Sequence, residues 1–411
     1  MSEDYLQKNH CRICASERLL DILDLGEMPP ANAFLRQEDL AQPELTFPLV
    51  VAFCLDCSLL QLRHTVQPEL LFRDYPYATS ASQPLADHFV AAGRQLAERF
   101  GLTAKDLVVE IGGNDGTLLA GIKDRCRVLN IEPASTVAAL AQQGEVETLN
   151  VFFSQAVATE IKQKIGSAKL IIANNVIAHL DDLKDIFTGI TTLLDQQGVF
   201  VFEVHWVGNL IGEGGFDQIY HEHLSYFSLL ALQRLVAQVG LEIFDVELLP
   251  IHGQSLRVYV GNGFAVTPAV AELLAQERAL GLDRSDTFLR FQEKVVAARD
   301  RLRDLLADLK REGKRIVGYG APAKGNTLLN YAQIDTTTID FLIDTTSFKQ
   351  GRYSPGMRIP VHPPEKIRET PPDYLLLFAW NYADVIIQRE AAYRAAGGKF
   401  IVPVPEPRII E

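Results

Sequence analysis

The 411-residue sequence predicts an α/β protein with a small cysteine-rich module at its N-terminus. Short apolar strands alternate with helical segments over residues 106–204 and again over residues 315–380, which is typical of doubly wound parallel sheets. Two CxxC pairs precede the first of these units, and a long helical segment precedes the second. We therefore predict three domains, at residues 1–75, 76–285 and 286–411.

Composition and charge are those of an ordinary globular chain, with 47% hydrophobic and 22% charged residues. The 39 basic and 52 acidic residues give a formal charge of −13, and such a surface repels the phosphates of nucleic acids. The richest apolar run, at 374–380, has the length of a strand rather than of a membrane helix. No signal peptide is visible at the N-terminus. We expect a cytoplasmic protein with no nucleic-acid or membrane partner, and the oligomeric state stays open.

The cysteines of the N-terminal module predict a structural zinc site. In a chain without an export signal, paired CxxC motifs are more typical of metal ligands than of a disulfide framework. Four thiolates complete the tetrahedral shell of Zn²⁺ and leave no position for a reacting water. Reduced cysteines packed in a core are the alternative. The predicted ligands are Cys11, Cys14, Cys54 and Cys57.

The first α/β unit follows an amphipathic helix and ends in an irregular insertion. Residues 204–225 are rich in glycine, histidine and aromatic side chains, and they are too long for an ordinary connection. Long irregular segments after a sheet strand commonly carry substrate sites. The predicted helices are 85–100, 135–143, 183–194 and 229–239, and the predicted strands are 106–111, 128–131, 170–173, 199–204 and 256–260.

The second α/β unit begins with a long helix at 286–312, which carries four leucines on one stripe and ends at a glycine. The four leucines are Leu302, Leu305, Leu306 and Leu309. Strands are predicted at 315–320, 339–344 and 374–380, and a helix near 325–332.

A glycine-rich turn between the first strand and the next helix indicates a nucleotide-type site. Its glycines allow a ligand to approach the backbone, and an acid at the tip of the second strand can bind a ribose diol. Asn114 stands where a dinucleotide fingerprint has its second glycine, which favours S-adenosylmethionine over NAD. The candidate cofactor-binding residues are Glu110, Gly112, Gly113, Asn114, Gly116, Glu132, Asn174 and Asn175.

These segments resemble a known family. VVEIGGNDGTLL, NIEPA and the stretch IIANNVIAHLDDLKDIFTGITTLLDQQGVFVFEV are similar to the core of a class I S-adenosylmethionine-dependent methyltransferase, which is Rossmann-like. The closer resemblance is to the sugar C-methyltransferases that act on nucleotide-linked 4-keto-6-deoxyhexoses. It rests on the Cys₄ module, on YHEHLSYFS, and on GYGAPAKGNT in a second Rossmann-like domain, and it covers nearly the whole chain.

The resemblance implies methylation of the carbon beside the ketone, with C3 expected. Removal of a proton from that carbon needs a base and a group that stabilises the enolate. The resemblance assigns the base to His223, with Tyr220 and Glu222 as substrate-contacting or orienting partners. If the stretch is extended, Tyr220 and Glu222 share one side, and His221 and His223 share the other.

Three further residues complete the predicted catalytic set. His179 follows a strand end at the expected mouth of the cofactor site and is a second candidate for the base. Tyr75 and Tyr77 match an aromatic pair that closes over the site in the family. The alternatives for the histidines are hydrogen-bonded core residues or, for the HxH spacing, a metal site.

A second strand–loop–helix junction, at 318–327, is a candidate anion site. Backbone N–H groups at a helix start attract anions, and Lys324 adds a positive charge. The resemblance assigns this loop to the nucleotide diphosphate of the sugar substrate, although a Rossmann-like domain with a vestigial loop is the alternative. The candidate substrate-binding residues are Gly320, Lys324, Asn326, Asp344, Lys349, Arg352, Trp380 and Asn381.

The sequence therefore predicts an S-adenosylmethionine-dependent C-methyltransferase acting on a nucleotide diphosphate 4-keto-deoxysugar, with structural zinc. Two alternatives stay open: an NAD-dependent nucleotide-sugar oxidoreductase or epimerase, and a non-catalytic zinc-ribbon adaptor that binds a nucleotide.

Overall fold

A computed structural model describes residues 4–72, 78–81, 83–249 and 255–411. The strands in these ranges are β1 (Tyr5–Gln7), β2 (Leu19–Met28), β3 (Phe47–Cys54), β4 (Leu60–Leu62), β5 (His64–Val66), β6 (Leu107–Ile111), β7 (Arg127–Ile131), β8 (Thr148–Leu149), β9 (Ala168–Asn174), β10 (Leu194–His205), β11 (Ser225–Tyr226), β12 (Glu242–Leu249), β13 (Ser255–Gly261), β14 (Ile316–Tyr319), β15 (Leu342–Ile343), β16 (Val361–His362), β17 (Tyr374–Leu377), β18 (Lys399–Val402) and β19 (Arg408–Ile410).

The described ranges contain fewer α-helices than strands, but the longest element is a helix. They are α1 (Pro68–Phe72), α2 (Gln83–Arg99), α3 (Thr117–Ala120), α4 (Ser135–Gln143), α5 (Gln155–Lys164), α6 (Leu183–Leu193), α7 (Val207–Gly212), α8 (Leu229–Ala237), α9 (Pro268–Leu280), α10 (Ser285–Arg311), α11 (Ala323–Ala332), α12 (Lys366–Glu369), α13 (Ala383–Arg389) and α14 (Ala391–Ala395). Short 3-10 helices lie at Gln37–Ala41, Thr79–Ala81, Ile177–His179, Phe216–Gln218 and Trp380–Tyr382.

The central sheet has seven strands in the order β12-β13-β10-β9-β6-β7-β8. Neighbouring strands are parallel, except that β13 runs antiparallel to both β10 and β12. Helices α2 and α3 pack on one face, and α5, α6 and α8 pack on the other. The sheet is thus doubly wound as predicted. The sequence analysis missed α5 and β12, and it did not indicate the reversed direction of β13.

The N-terminal module contributes three strands to a four-stranded antiparallel sheet, in the order β11-β4-β3-β2. Its fourth strand, β11, comes from the far end of the 204–225 insertion, where Ser225 and Tyr226 pair with Gln61 and Leu60. The insertion is therefore built into the sheet of the cysteine-rich module.

The C-terminal sheet has six strands in the order β16-β15-β14-β17-β18-β19. All neighbouring pairs are parallel except β18 and β19, two strands that the sequence did not indicate. One apolar core runs through the three sheets, and it includes Val51, Phe202, Leu302 and Leu376.

Two sequence predictions need correction. The 204–225 insertion is not irregular throughout, because it contains α7, a 3-10 helix and β11. The strand expected at 339–344 is reduced to Leu342–Ile343. It ends there because the Asp344 carboxylate accepts the backbone N–H of Thr346 and turns the chain.

The leucine stripe of α10 gives a test of the packing. Leu302 is fully buried, whereas Leu305, predicted on the same stripe, is only half-buried. Leu302→Ala should lower the free energy of unfolding by about 2–5 kcal/mol because it leaves a cavity, and Leu305→Ala should cost less. Urea denaturation followed by circular dichroism measures both; equal losses would contradict this placement.

Candidate active site

The four predicted zinc ligands lie together. Their sulfur atoms are all within 4.8 Å of one another, with Cys11 and Cys57 at 3.3 Å and Cys14 and Cys54 at 3.5 Å. A tetrahedron with Zn–S bonds of about 2.3 Å places its sulfurs about 3.8 Å apart, so the cluster fits Zn²⁺. None of the four cysteines is in a disulfide, so all four sulfurs are available as the thiolate ligands that Zn²⁺ needs.

Arg12, between the first two cysteines, connects this cluster to the central sheet. Its side chain is buried and donates to Asp181 Oδ1 at 3.0 Å and to the hydroxyl of Thr65 at 2.7 Å. Asp181 also pairs with the ammonium of Lys8 at 2.5 Å. Asp181 follows His179 by two residues. The zinc knuckle therefore holds the loop that carries His179.

The predicted catalytic segment at 220–223 is a turn rather than an extended stretch. The backbone N–H of His223 donates to the carbonyl of Tyr220 at 3.0 Å, and the Tyr220 hydroxyl lies 3.1 Å from His223 Nε2. The expectation that these two residues point to opposite sides is thus wrong. His221 turns away, and its Nε2–H donates to the carbonyl of Phe47 at 3.1 Å.

The tautomer of His223 follows from its partners. Its Nδ1 lies 3.1 Å from the carbonyl oxygen of Gln218, which can only accept a hydrogen bond, so Nδ1 carries the proton. In the neutral ring, Nε2 then holds a lone pair and accepts from the Tyr220 hydroxyl. A base with this arrangement is oriented before substrate arrives.

His223 is the centre of a histidine cluster. Its ring centroid lies 5.1 Å from that of His179 and 5.0 Å from that of His205. Burial lowers the pKa of His179 to about 4, so its ring is neutral near pH 7. His205 was not among the predicted site residues, although it is the last residue of β10 and strand ends are common places for ligand-binding side chains.

Glu222 is buried beside this cluster and contacts the N-terminal module. The amide of Asn32 donates to its Oε1 at 2.7 Å. Burial raises the pKa of Glu222 to about 7, and the hydrogen bond from Asn32 opposes that rise. Asn32 has no local signature in the sequence, because its partner is 190 residues away.

The glycine-rich turn after β6 forms the carboxyl edge of the central sheet. Gly112, Asn114 and Gly116 have φ values of +65°, +54° and +75°. Asparagine tolerates this left-handed region better than most residues, which explains how it can replace the expected glycine. Gly113 has no room for a side chain, since a Cβ there would lie 2.4 Å from Asn130 Oδ1 and 2.8 Å from Glu110 Oε2.

Two carboxylates flank this turn. Glu132, at the end of β7, accepts the backbone N–H groups of Asn114 and Ala134 at 2.9 and 2.8 Å. Glu110 is buried, and its Oε2 has no hydrogen-bond partner among the described residues. Burial raises the pKa of Glu110 well above its ordinary value. An unsatisfied buried carboxylate at a glycine-rich turn indicates a ligand with hydrogen-bond donors.

The end of β9 lies at the same edge. Asn174 is opposite Glu203 of β10, and the backbone N–H of Asn175 donates to the Glu203 carbonyl at 2.9 Å. Asn175 has a φ of +56°, and its Oδ1 is buried without a partner among the described residues. Both predicted asparagines are therefore placed at the strand ends that border the turn.

The second glycine-rich loop joins β14 to α11 and carries a buried cation. Gly320 has a φ of +85°. The ammonium of Lys324 donates to Asn381 Oδ1 at 2.5 Å and lies 4.3 Å from the ring centroid of Trp380. The indole N–H of Trp380 donates to the buried carboxylate of Asp217 at 2.7 Å, which the sequence analysis missed.

Of the remaining predicted anion-site residues, three lie around the second glycine-rich loop and one contacts the N-terminal module. Asp344 accepts the backbone N–H of Ala321 at 2.7 Å, and the ammonium of Lys349 donates to the Ala321 carbonyl at 2.8 Å. Arg352 is half-buried and contacts this loop through its backbone, whose N–H donates to the carbonyl of Lys349. The amide of Asn326 donates to the carbonyl of Ala31 at 2.7 Å.

The turn at 220–223 is flanked by contacts to the edge of the central sheet and to the second strand–loop–helix junction. At one end, the hydroxyl of Thr327 in α11 donates to the carbonyl of Ile219 at 3.2 Å. At the other end, the backbone N–H of Leu224 donates to the carbonyl of Ala178 at 2.7 Å, beside His179. The predicted base therefore lies between the central sheet and the second loop. Tyr75 and Tyr77 lie outside the described residues.

Comparison with known proteins decides the activity. The chain matches models of a zinc binding domain over residues 11–72, a methyltransferase domain over 86–246 and a C-methyltransferase C-terminal domain over 250–405. C-methyltransferase NovU of Streptomyces niveus is 39% identical over 406 residues, which cover 98% of this chain and 97% of NovU. The chain belongs to the S-adenosylmethionine-dependent C-methyltransferase family.

Solved methyltransferases align with less than half of this C-methyltransferase. An S-adenosylmethionine-dependent methyltransferase from Clostridium acetobutylicum covers 44% of this chain and 92% of its own, with 12% identity and a TM-score of 0.35. Magnesium protoporphyrin IX methyltransferase from Synechocystis, with bound S-adenosylmethionine, covers 43% and 78%, with 12% identity and a TM-score of 0.32.

Membership of this family has three consequences. This C-methyltransferase uses S-adenosylmethionine, and its Cys₄ cluster is a structural zinc site. The two alternative functions, an NAD-dependent oxidoreductase or epimerase and a non-catalytic adaptor, are therefore excluded. In the described part of the chain, no helix combines the length and the apolar character that crossing a membrane requires.

The contact between zinc knuckle and central sheet can be tested with Arg12→Met, which keeps most of the side-chain volume but removes the charge. We expect turnover to fall and the free energy of unfolding to drop by about 1–3 kcal/mol, because buried hydrogen-bonding groups lose their partner. Bound zinc, measured by atomic emission, should stay at one per chain because all four sulfurs remain.

Arg18→Met is the matched control for that variant. Arg18 pairs with Asp56 on the surface of the same knuckle, with its side chain 67% exposed. Its loss should change stability by less than about 0.5 kcal/mol. Equal behaviour of the two variants would contradict a positioning role for Arg12.

The close packing at Gly113 predicts an effect on the cofactor. Gly113→Ala should weaken S-adenosylmethionine binding by about tenfold or more, since the added methyl must displace Asn130 or Glu110. Gly212→Ala is the control, because a Cβ at Gly212 meets no atom within 4 Å. Calorimetric titration measures both, and an unchanged affinity at Gly113→Ala would place the cofactor elsewhere.

Proposed function

We propose that this enzyme methylates the carbon beside the ketone, C3, of a nucleotide diphosphate 4-keto-6-deoxyhexose, in deoxysugar biosynthesis. The observation that carries the proposal is the position of the catalytic turn. Tyr220 and His223 lie between the glycine-rich edge of the central sheet and the cationic loop of the C-terminal sheet. A substrate with a reactive sugar at one end and a diphosphate at the other matches that arrangement.

The cofactor end consists of the turn after β6 and the neighbouring strand ends. In the proposed complex, Glu110 and the backbone around Gly112, Gly113 and Gly116 hold the amino-acid part of S-adenosylmethionine, which supplies an electrophilic methyl group. Glu132 keeps acceptor capacity for the ribose hydroxyls, since its two backbone donors use only part of the carboxylate's lone pairs.

A second group of residues borders the same edge of the sheet. Asn114 and the strand-end residues Asn174 and Asn175 border the methyl donor in the proposed complex. The Oδ1 of Asn175 supports this assignment, because it has no partner in the described part of the chain and can accept a hydrogen bond from the cofactor.

His223 is the proposed base. Its Nε2 would accept the C3 proton, and the C–H electron pair would become the enolate of the 4-ketone. That carbon would then form the new bond to the methyl group as the S–CH₃ bond breaks and its electron pair stays on sulfur, so that S-adenosylhomocysteine leaves. The proton then sits on Nε2, where the Gln218 carbonyl stabilises the resulting imidazolium through Nδ1–H. Tyr220, released from Nε2, can donate its hydroxyl proton to the enolate oxygen.

The other catalytic candidates have supporting roles in this proposal. Glu222, whose pKa is raised to about 7, can stay protonated and hold the turn through Asn32 rather than act as a second base. His179, neutral near pH 7, packs against the base and keeps water from it. Tyr75 and Tyr77 stay predicted contacts to the sugar.

The anion end is the proposed site of the nucleotide diphosphate. Lys324 and Lys349 supply two buried positive charges around the backbone of Gly320. Burial lowers the pKa of both lysines, so an anionic ligand would strengthen their charged form. Asn326 and Asp344 shape the loop, while Arg352, Trp380 and Asn381 border it.

We also propose the domain limits 1–75, 76–285 and 286–411. The end at 285 is supported by the sheet: β13 is hydrogen-bonded between β10 and β12, so a boundary before it would split the methyltransferase sheet.

His223→Asn tests the proposed base. Its side chain can still donate to the Gln218 carbonyl but cannot take up a proton, so turnover should fall by about 10²–10⁴-fold while S-adenosylmethionine affinity stays the same. The assay uses labelled S-adenosylmethionine with a panel of freshly generated 4-keto nucleotide sugars. Mass spectrometry then detects the gain of one methyl group on the accepted sugar.

Solvent exchange separates the base from the substrate assignment. With the accepted sugar and S-adenosylhomocysteine in D₂O, the wild-type enzyme should exchange the C3 hydrogen for deuterium, and His223→Asn should not. His221→Asn is the control, because that ring faces the Phe47 carbonyl, and its folded fraction should keep exchange. Undiminished exchange in His223→Asn would assign the base to another residue. If no sugar of the panel gains a methyl group, the proposed substrate is refuted.

A further inference from the structure

The insertion between β10 and β11 places one buried carboxylate against the C-terminal domain. Asp217 is completely buried in the 3-10 helix Phe216–Gln218. Its Oδ2 accepts the indole N–H of Trp380 at 2.7 Å, and its Oδ1 has no hydrogen-bond partner among the described residues. A carboxylate in such a place is costly unless a positive charge compensates for the lost hydration.

Lys324 provides this positive charge, and its ammonium contacts the same Trp380 indole. Its ammonium lies 4.3 Å from the centroid of the Trp380 ring, within the range of a cation–π interaction. One of its three N–H groups donates to Asn381 Oδ1 at 2.5 Å. Its other N–H groups are therefore available to the indole face and to an anion in the loop.

Two carboxylates act on Lys324. Burial lowers the pKa of this lysine, and the charges of Asp217 and Glu213 oppose that effect. Glu213 is exposed, so water and salt screen it, whereas Asp217 is enclosed by protein. Of the two carboxylates, Asp217 is therefore the one whose electrostatic interaction with Lys324 is screened less.

We propose that Asp217 is a positioning residue of the diphosphate site, which fixes the Trp380 indole against Lys324 and keeps Lys324 charged. The proposal rests on the proposed function, because that function makes the anion a diphosphate. It adds that the methyltransferase domain itself completes the site on the C-terminal domain. The insertion between β10 and β11 then acts at both ends of the substrate, because it carries Asp217 before the catalytic turn and His223 within that turn.

The first experiment measures the charge of Lys324 without any ligand. The chain has two tryptophans, so Trp206→Phe leaves Trp380 as the only one, and its fluorescence against pH reports the ionisation of the ammonium above its ring. Asp217→Asn keeps an oxygen that can accept the indole N–H but removes the charge. The fluorescence transition should move to lower pH by about 1–3 units.

Two further variants control this titration. Glu213→Gln should move the transition less, because that carboxylate is exposed. Lys324→Met should abolish it, which shows that the signal comes from the lysine. A transition that Asp217→Asn leaves unmoved would overturn the proposal.

The second experiment measures binding of inorganic pyrophosphate by calorimetry. Between the transitions of wild type and Asp217→Asn, the variant should bind about tenfold more weakly or worse, since its lysine is neutral there. Below both transitions its affinity should recover, which a purely structural defect would not allow. With the sugar nucleotide, KM should rise in the same pH range while kcat at saturation stays close to that of the wild type.

The two experiments separate the possible failures. Equal pyrophosphate affinity of both proteins at every pH would overturn the role of Asp217. If pyrophosphate does not bind the wild type although the fluorescence transition shifts, the charge coupling is real but the site takes no diphosphate, and the proposed function fails with it. If Asp217→Asn does not fold, Trp380→Phe removes the indole donor instead and should also weaken pyrophosphate binding; unchanged affinity would refute the proposal.

Discussion

The position of the turn at 220–223 depends on an ion pair between the zinc knuckle and the central sheet, in which Arg12 is buried and Asp181 is half-buried. Arg12 donates to Asp181, to Thr65 and to the carbonyl of Leu62, so its charge is satisfied although its side chain is 1% exposed. Zinc fixes the backbone on both sides of Arg12, and Asp181 ends the loop of His179. Since β11 is also the fourth strand of the knuckle's sheet, the structural zinc site determines where the turn at 220–223, and with it the proposed base, lies.

Three buried carboxyl groups lie around this turn, and stability alone does not account for them. Burial raises the pKa of Glu110, Glu222 and Asp217, and oxygens of Glu110 and Asp217 have no partner among the described residues. Apolar side chains of similar size would cost less in a core. The three groups stand at the proposed cofactor, base and anion ends, which is where a protein keeps locally unfavourable groups for function.

Local patterns explain what could be predicted from the sequence. The inner strands of the two α/β units, such as β6, β9, β10 and β17, contain continuous apolar runs, and these were found. The CxxC pairs and glycine-rich loops each carry their chemistry within a few residues, so they were found as well. The turn at 220–223 was not, because its shape depends on distant partners such as the carbonyl of Ala178. Asp217 and Asn32 have partners 163 and 190 residues away, and no period or motif marks such contacts. Reversed β13 likewise reflects pairing between distant strands.

A short loop of the N-terminal module links the turn at 220–223 to the second glycine-rich loop and its helix. The Ala31 carbonyl accepts from Asn326 of α11, and Asn32 donates to Glu222 in the catalytic turn. The ring of Phe34 lies 5.3 Å from the ammonium of Lys349. Methyl transfer needs the reacting atoms in near-attack contact, so the span from base to diphosphate anchor must match the substrate. Because one loop contacts both α11 and the turn at 220–223, the N-terminal module fixes their separation, and the proposed distance from base to diphosphate depends on it.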